Sequence, residues 1–142
     1  MRPGVIKIAV VDGQGGGIGK SIVAKLKAEF PEAEILAFGT NSAATGQMMA
    51  AGADEGATGE NAIVVNMERV DLIIGVLGIL AADSMMGELT PAMAAAVGRS
   101  SAQKILIPLN RCGIHIVGLE KEKNNLSAYI EQAVTKAKEY FQ

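Results

Sequence analysis

Short runs of branched apolar residues alternate along the chain with longer segments in which apolar residues recur every three or four positions. The short runs are bounded by turn-forming residues and predict buried strands, whereas the longer spacing predicts helices packed against them. The predicted strands cover residues 5–11, 34–38, 55–58, 72–80, 104–109 and 114–119. Segment 55–58 is very short, which favours a place at the edge of a sheet.

The predicted helices cover residues 18–30, 42–51, 60–70, 91–98 and 127–141. Asn41 or Ser42 can cap the second helix, which Gly52 closes. Thr90 followed by Pro91 is a strong start for the fourth helix, since proline is favoured at the first helical position. The third segment has one alternative, because its β-branched run 63–65 is also compatible with a strand.

The alternation of strands and helices predicts an α/β fold with a mostly parallel sheet covered on both faces. Right-handed crossovers leave few topologies, of which a Rossmann-like three-layer sandwich is the simplest. Residues 110–113 are too few for a crossover helix, so we expect 114–119 to return as an antiparallel last strand. A chain of 142 residues fits one such domain, 1–142.

Composition restricts the class of protein more than its function. The net charge is −2 and the basic residues are scattered singly, which argues against a nucleic-acid-binding surface. The single cysteine, Cys112, leaves no internal disulfide and no Cys-rich metal site. No signal peptide is recognised, and the longest apolar run, 72–82, is shorter than the ~20 residues that span a bilayer. We therefore expect a cytoplasmic protein without a membrane partner.

A glycine-rich loop, Asp12 to Ser21, closes the first predicted strand and opens the first helix. Its glycines allow positive φ angles and a close approach of another group to the backbone. The following helix directs its free N–H groups and its positive dipole end at the loop, which favours an anion. The loop therefore predicts a small phosphate-bearing ligand.

A dinucleotide loop is the first specific interpretation. The pattern Gly13-x-x-x-Gly17-Ile18-Gly19 resembles that of the short-chain dehydrogenase/reductase family over the first strand, loop and helix. That family's catalytic Tyr-x-x-x-Lys is absent, since Ala133 stands four residues after Tyr129. The acid that holds the ribose of NAD about 20 residues past the glycines is also missing. The neutral turn 39–42 there favours NADP over NAD.

A P-loop is the alternative. The segment 16–21 resembles the end of the Walker A variant in ATPases of the nitrogenase iron-protein type, with Lys20 and Ser21 as the lysine and the magnesium-binding hydroxyl. This interpretation implies ATP or GTP with Mg²⁺, and Asp83 after the strand 72–80 as the Walker B acid. Two positions depart from the motif: Gln14 stands where a glycine is expected, and Gly15 where the variant's lysine is expected.

Ligands of open parallel sheets bind beyond the carboxyl ends of the strands, where the strand order reverses. Asp12 could orient a ribose, hold a metal-bound water or cap the loop's own amides. Arg111 could pair with a phosphate or a carboxylate. The candidate ligand-binding residues are Asp12, Gly13, Gln14, Gly15, Gly16, Gly17, Ile18, Gly19, Lys20, Ser21, Thr40, Asn41, Ser42, Asp83 and Arg111. No catalytic constellation emerges, and His115 has no evident partner. Cys112 stands beside Arg111, which could lower its pKa, but most single cysteines are inert.

Motifs along the whole chain extend the picture beyond the loop. The chain resembles a short bacterial family classed only as a domain of unknown function, through the segments 11–19, 52–54, 57–62, 87–91 and 104–110. This resemblance implies a stand-alone domain and brings no activity, substrate or catalytic residue.

The leading hypothesis is a small nucleotide- or dinucleotide-binding domain, of the NAD(P) type, acting as a sensor or an accessory subunit. The alternatives are the P-loop protein and a small-metabolite enzyme that uses Asp12, Asp83 and Arg111. The 7 methionines and the scarcity of aromatic residues leave apolar helix faces, which favour a homo-oligomer.

Overall fold

The computed structural model describes residues 4–109, 113–119 and 125–141. The strands are β1 (Lys7–Asp12), β2 (Glu34–Gly39), β3 (Glu55–Thr58), β4 (Leu72–Val76) and β5 (Gln103–Ile107). The helices are α1 (Gly17–Glu29), α2 (Ser42–Ala50), α3 (Glu60–Asn66), α4 (Pro91–Arg99) and α5 (Leu126–Phe141). A 3-10 helix, Leu77–Leu80, follows β4. Each of these strands and α-helices was predicted from the sequence, with bounds that differ by a few residues.

The five strands form one sheet in the order β3-β2-β1-β4-β5. β1 pairs with β2 on one side and with β4 on the other, and every strand pairing is parallel. The chain therefore starts at the centre, moves outward to β3, and returns to β4 on the opposite side of β1. The strand order reverses between β1 and β4, as it does in a Rossmann-like sheet.

Two apolar layers enclose the sheet, because successive residues of a strand face opposite sides. Ile8 and Val10 of β1 lie in one buried layer with residues of α1, α2 and α5. Ala9 and Val11 lie in the other, with residues of α3 and α4. These layers confirm the predicted three-layer sandwich. They also hold β1 rigidly, so that the loop after it starts from a fixed position.

The segment 60–66 is a helix, and the alternative strand at 63–65 is wrong. Ile63, Met67 and Val70, which have helical spacing, are all buried, whereas Val65 is exposed. A strand would turn Ile63 and Val65 to the same face. The three-to-four spacing therefore outweighs the β-propensity of the valines.

The fourth strand is shorter than predicted. It ends at Val76, and the rest of the apolar run forms the 3-10 helix. Ile79 in that helix is fully buried and packs in the same apolar layer as α4. Most residues of the apolar run are buried, although Leu80 is 38% exposed, and the burial continues past the end of the strand.

The predicted antiparallel last strand is wrong. Residues 114–116 have no regular structure and 117–119 form a turn. Gly118 has a φ of 97°, which is incompatible with an extended strand, and the Val117 side chain is 94% exposed. Branched apolar residues alone predicted this strand, and none of the described strands pairs with them. The sheet is parallel throughout.

Across the described ranges, no helix combines the length and the apolar character that crossing a bilayer requires.

Candidate functional site

The glycine loop is a four-residue connection, Gly13 to Gly16, between β1 and α1. The Gly16 N–H donates to the Gly13 carbonyl at 3.0 Å and closes a turn. Gly16 has a φ of 74°, and a Cβ there would lie 2.7 Å from the Cα of Ala44 in α2. Only glycine satisfies both conditions, so this position holds the loop against α2.

Three backbone donors lie at the end of the loop and in the first turn of α1. The amides of Gly15, Gly17 and Ile18 have no hydrogen-bond acceptor among the described residues. A Cβ added to Gly15 or Gly17 would meet nothing within 4 Å, and both residues are exposed. These donors lie at the N-terminus of a 13-residue helix, where the helix dipole favours negative charge.

Asp12 is a capping group of the loop. Its Oδ1 accepts the N–H of Gly13 at 2.8 Å, and its Oδ2 accepts the N–H of Gly19 at 2.6 Å. The side chain is only 6% exposed, and this burial raises the pKa of the Asp12 carboxyl, against the lowering effect of the two amides. Of its three proposed roles, the geometry matches the capping of the loop's own amides.

Glu88, which the sequence analysis did not single out, accepts three hydrogen bonds through one carboxylate oxygen. Its Oε1 accepts the Thr40 hydroxyl at 2.7 Å, the Asn41 side-chain amide at 2.8 Å and the Gln14 N–H at 2.9 Å. The Thr40 hydroxyl, the Gln14 amide and the Asn41 amide hold the pKa of the Glu88 carboxyl below its usual range. A carboxylate therefore lies between the glycine loop and the residues that follow β2.

The segment that carries Glu88 has an unusual backbone. Asp83, Met85 and Met86 all have φ angles between 56° and 65°, and Gly87 has a φ of 90°. Ser84 pairs with Leu89 in an antiparallel bridge, and the Ser84 hydroxyl donates to the Gly78 carbonyl at 2.6 Å. Left-handed conformations are costly for residues with side chains, so these contacts fix the turn.

The turn formed by residues 83–89 packs against the glycine loop. A Cβ on Gly13 would lie 2.7 Å from the Sδ of Met85 and 2.5 Å from the Oγ1 of Thr40. The loop backbone, the turn and the end of β2 are therefore in close contact at Gly13.

The predicted site residues after β2 are brought to the loop in part. Thr40 and Asn41 both reach Glu88, and the Asn41 amide also donates to the Gln14 carbonyl at 3.0 Å. Asn41 caps α2 as well, since its Oδ1 accepts the Ala44 N–H at 2.8 Å. Ser42 is the exposed first residue of α2.

The residues of the P-loop interpretation are arranged differently from that motif. Lys20 is exposed, while the Ser21 hydroxyl donates to the Gly17 carbonyl at 3.2 Å within α1. Asp83 is exposed and lies beyond the 3-10 helix, and no hydrogen bond joins its side chain to the glycine loop. Arg111 and Cys112 lie outside the described residues. His115 is exposed.

The sequence did not identify Glu88 as a site residue, because its partners are distant along the chain. It lies 74 residues from Gln14 and 48 residues from Thr40. The available signal was an acid next to Gly87 in a connection that follows a strand, and therefore at the carboxyl edge of a parallel sheet.

Residues 7–142 match the family model described as Domain of unknown function (DUF3842). None of the curated proteins compared with the chain matches it.

Proposed function

The chain belongs to the DUF3842 family, and we propose that it is a nucleotide-binding domain of the dinucleotide type, with the ligand's phosphates on the loop 13–18. The observation that carries the proposal is the position of three amides without an acceptor among the described residues, those of Gly15, Gly17 and Ile18. They lie at the end of the loop after the central strand and in the first turn of α1, beside the point where the strand order reverses.

The local geometry favours a dinucleotide loop over a P-loop. The connection from β1 to α1 is short, and Gly19, Lys20 and Ser21 already belong to the helix. The Asp12 carboxylate accepts the Gly19 N–H, and the Ser21 hydroxyl donates to the Gly17 carbonyl, so neither donor is available to a ligand. The remaining donors suit one phosphate or pyrophosphate at the helix start, which is how dinucleotide folds bind it.

The proposed role is binding, as in a sensor or an accessory subunit. Both carboxylate oxygens of Asp12 accept backbone hydrogen bonds, so this residue is poorly placed to take a proton from a ligand. This weakens the small-metabolite enzyme hypothesis, which used Asp12 together with Asp83 and Arg111.

Thermal melting with candidate ligands tests the proposal. NADH, NADPH, ATP and GTP, the last two with Mg²⁺, are each added at millimolar concentration. A ligand at about 100 times its Kd stabilises the folded state by ~2.7 kcal/mol, and we expect at least one pyridine dinucleotide to raise Tm by several degrees. If neither NADH nor NADPH raises Tm, the proposal is wrong, and a shift with ATP or GTP alone would favour the P-loop alternative.

A pair of glycine substitutions locates the binding. In Gly15→Leu the side chain enters space that is empty in the folded protein, so it should block the ligand without disturbing the fold. Gly98→Ala is the control, because its added methyl group makes only an ordinary contact, 3.8 Å from Leu80, in the last turn of α4. We expect the ligand-induced shift to disappear in Gly15→Leu and to persist in Gly98→Ala. An unchanged shift in Gly15→Leu would place the ligand elsewhere.

A further inference from the structure

We propose that Glu88 binds the ribose hydroxyls of the ligand and thereby selects nucleotides with a free 2′-hydroxyl over those with a 2′-phosphate. This inference rests on the proposed nucleotide-binding function. It assigns a specificity role to a residue of the turn after β4, which lies far from the glycine loop in sequence.

The two oxygens of the Glu88 carboxylate have different surroundings. Oε1 accepts three hydrogen bonds, from Gln14, Thr40 and Asn41, which fix the orientation of the group. Oε2 has no hydrogen-bond donor among the described residues, and the side chain is partly exposed. An oriented carboxylate with one oxygen available is an acceptor for hydroxyl donors.

The position of the carboxylate matches the place of a ribose. In dinucleotide folds an acid near the end of the second strand accepts the ribose hydroxyls while the pyrophosphate lies on the glycine loop. The residues directly after β2 here, Thr40 and Asn41, are neutral. They instead hold Glu88, and the Gln14 amide links the same oxygen to the loop. The acid at this edge of the sheet thus comes from the turn that follows β4 and the 3-10 helix, and not from the residues after β2.

The charge of Glu88 decides between the two classes of dinucleotide. The sequence favoured NADP because Thr40 and Asn41 were expected to be free to hold a 2′-phosphate. Both groups donate to Glu88, so a 2′-phosphate would meet a carboxylate already in place. Two anions at hydrogen-bonding distance repel each other, whereas a diol donates to the carboxylate. The preference therefore changes to NAD.

A different role for Glu88 would reverse the expected effect of Glu88→Gln on ligand affinity. If Glu88 merely occupied an anion site until a phosphate displaced it, removing its charge would strengthen the binding of phosphate ligands. The effect of Glu88→Gln on affinity therefore separates the two roles.

Titration calorimetry of the whole chain with NADH and with NADPH tests the inference, because these ligands differ only by the 2′-phosphate. We expect the unsubstituted chain to bind NADH more tightly by roughly tenfold or more, the order of a charge-assisted hydrogen bond. Glu88→Gln should weaken NADH binding by about the same factor and bring the two affinities close together. Glu60→Gln is the matched control, since Glu60 accepts a hydrogen bond from the Thr90 hydroxyl rather than from the glycine loop.

The outcomes are distinguishable. Equal binding of both dinucleotides, tighter binding of NADPH, or a gain in affinity in Glu88→Gln would overturn the role of Glu88 while leaving the nucleotide-binding function in place. If neither ligand binds the unsubstituted chain, both proposals are wrong. The comparison of NADH with NADPH needs no substitution, so it decides the matter even if Glu88→Gln does not fold.

Discussion

The backbone N–H of Gln14 donates to the carboxylate of Glu88 at 2.9 Å, although 74 residues separate them along the chain. This hydrogen bond joins the loop after the central strand to the turn after its neighbour, across the point where the strand order reverses. The sheet order therefore brings Glu88 to the glycine loop. Glu88 lies beside Thr40 and Asn41, which are neutral residues.

Gly13→Ala should destabilise the protein. The added methyl group would lie 2.5 Å from the Thr40 hydroxyl and 2.7 Å from the Met85 sulfur, closer than real contacts allow. We expect a loss of about 1–3 kcal/mol in the free energy of unfolding, typical of overpacking, measured by urea denaturation. Gly15→Ala is the control, because the added methyl group meets nothing within 4 Å. Equal stability of the two variants would contradict the close contact at Gly13.

Asp12→Asn should also destabilise the protein. An amide side chain has one acceptor oxygen, so the N–H of Gly13 or of Gly19 would lose its partner. A buried donor without a partner costs about 1–3 kcal/mol, part of which is offset because the neutral amide is less costly to bury. The exposed Asp71, whose Oδ2 accepts the Lys7 N–H at 2.9 Å, provides the control Asp71→Asn. A larger loss in the control, measured by thermal and urea denaturation, would refute the capping role.

The two acids of the site should make opposite contributions to the pH dependence of stability. Burial raises the pKa of Asp12 above 3.8, so the folded state binds this proton more tightly than the unfolded state. Relative to Asp12→Asn, the unsubstituted chain should therefore lose stability as the pH rises from 3.8 through the folded pKa.

For Glu88 the sign is reversed. The Thr40 hydroxyl and the other two donors lower its pKa below 4.5, so the stabilisation is present above 4.5 and is lost as the pH falls through the folded pKa. Urea denaturation of the chain, Asp12→Asn and Glu88→Gln across this acidic range measures both effects. For each variant, the difference in free energy of unfolding from the unsubstituted chain is followed against pH. If the two differences change in the same direction with pH, the environments described for Asp12 and Glu88 are wrong.

Gly46→Ala should stabilise the protein. Gly46 lies inside α2, and a Cβ there would meet nothing within 4 Å. Replacing a helix-interior glycine with alanine gains about 0.5–1 kcal/mol when no clash results. Gly75→Ala is a useful contrast, because its Cβ would lie 2.8 Å from the backbone carbonyl oxygen of Val11 in β1 and should destabilise. Thermal denaturation of both variants checks the opposite signs.

The sequence by itself determined the elements of this fold. Helical spacing at Ile63, Met67 and Val70, the Thr90-Pro91 start and the glycines after β1 all act within a few residues, so their effects can be predicted locally. The alternation of those elements was enough to predict a parallel, three-layer arrangement. It also placed Thr40 and Asn41 beside the glycine loop, where the structure has them in contact with Gln14 or Glu88.

Only the tertiary structure decided the chemistry of the site. The apolar run 72–80 indicated buried residues, but it did not show that the strand ends at Val76. The branched residues at 114–119 predicted a strand, but none of the described strands pairs with them. Asp12 caps the amide of Gly19 through its buried carboxylate. Glu88 reaches the glycine loop because of the strand order and because its turn contains residues with left-handed φ angles. Such contacts leave no local pattern, because the groups that satisfy one another are adjacent in space and distant along the chain.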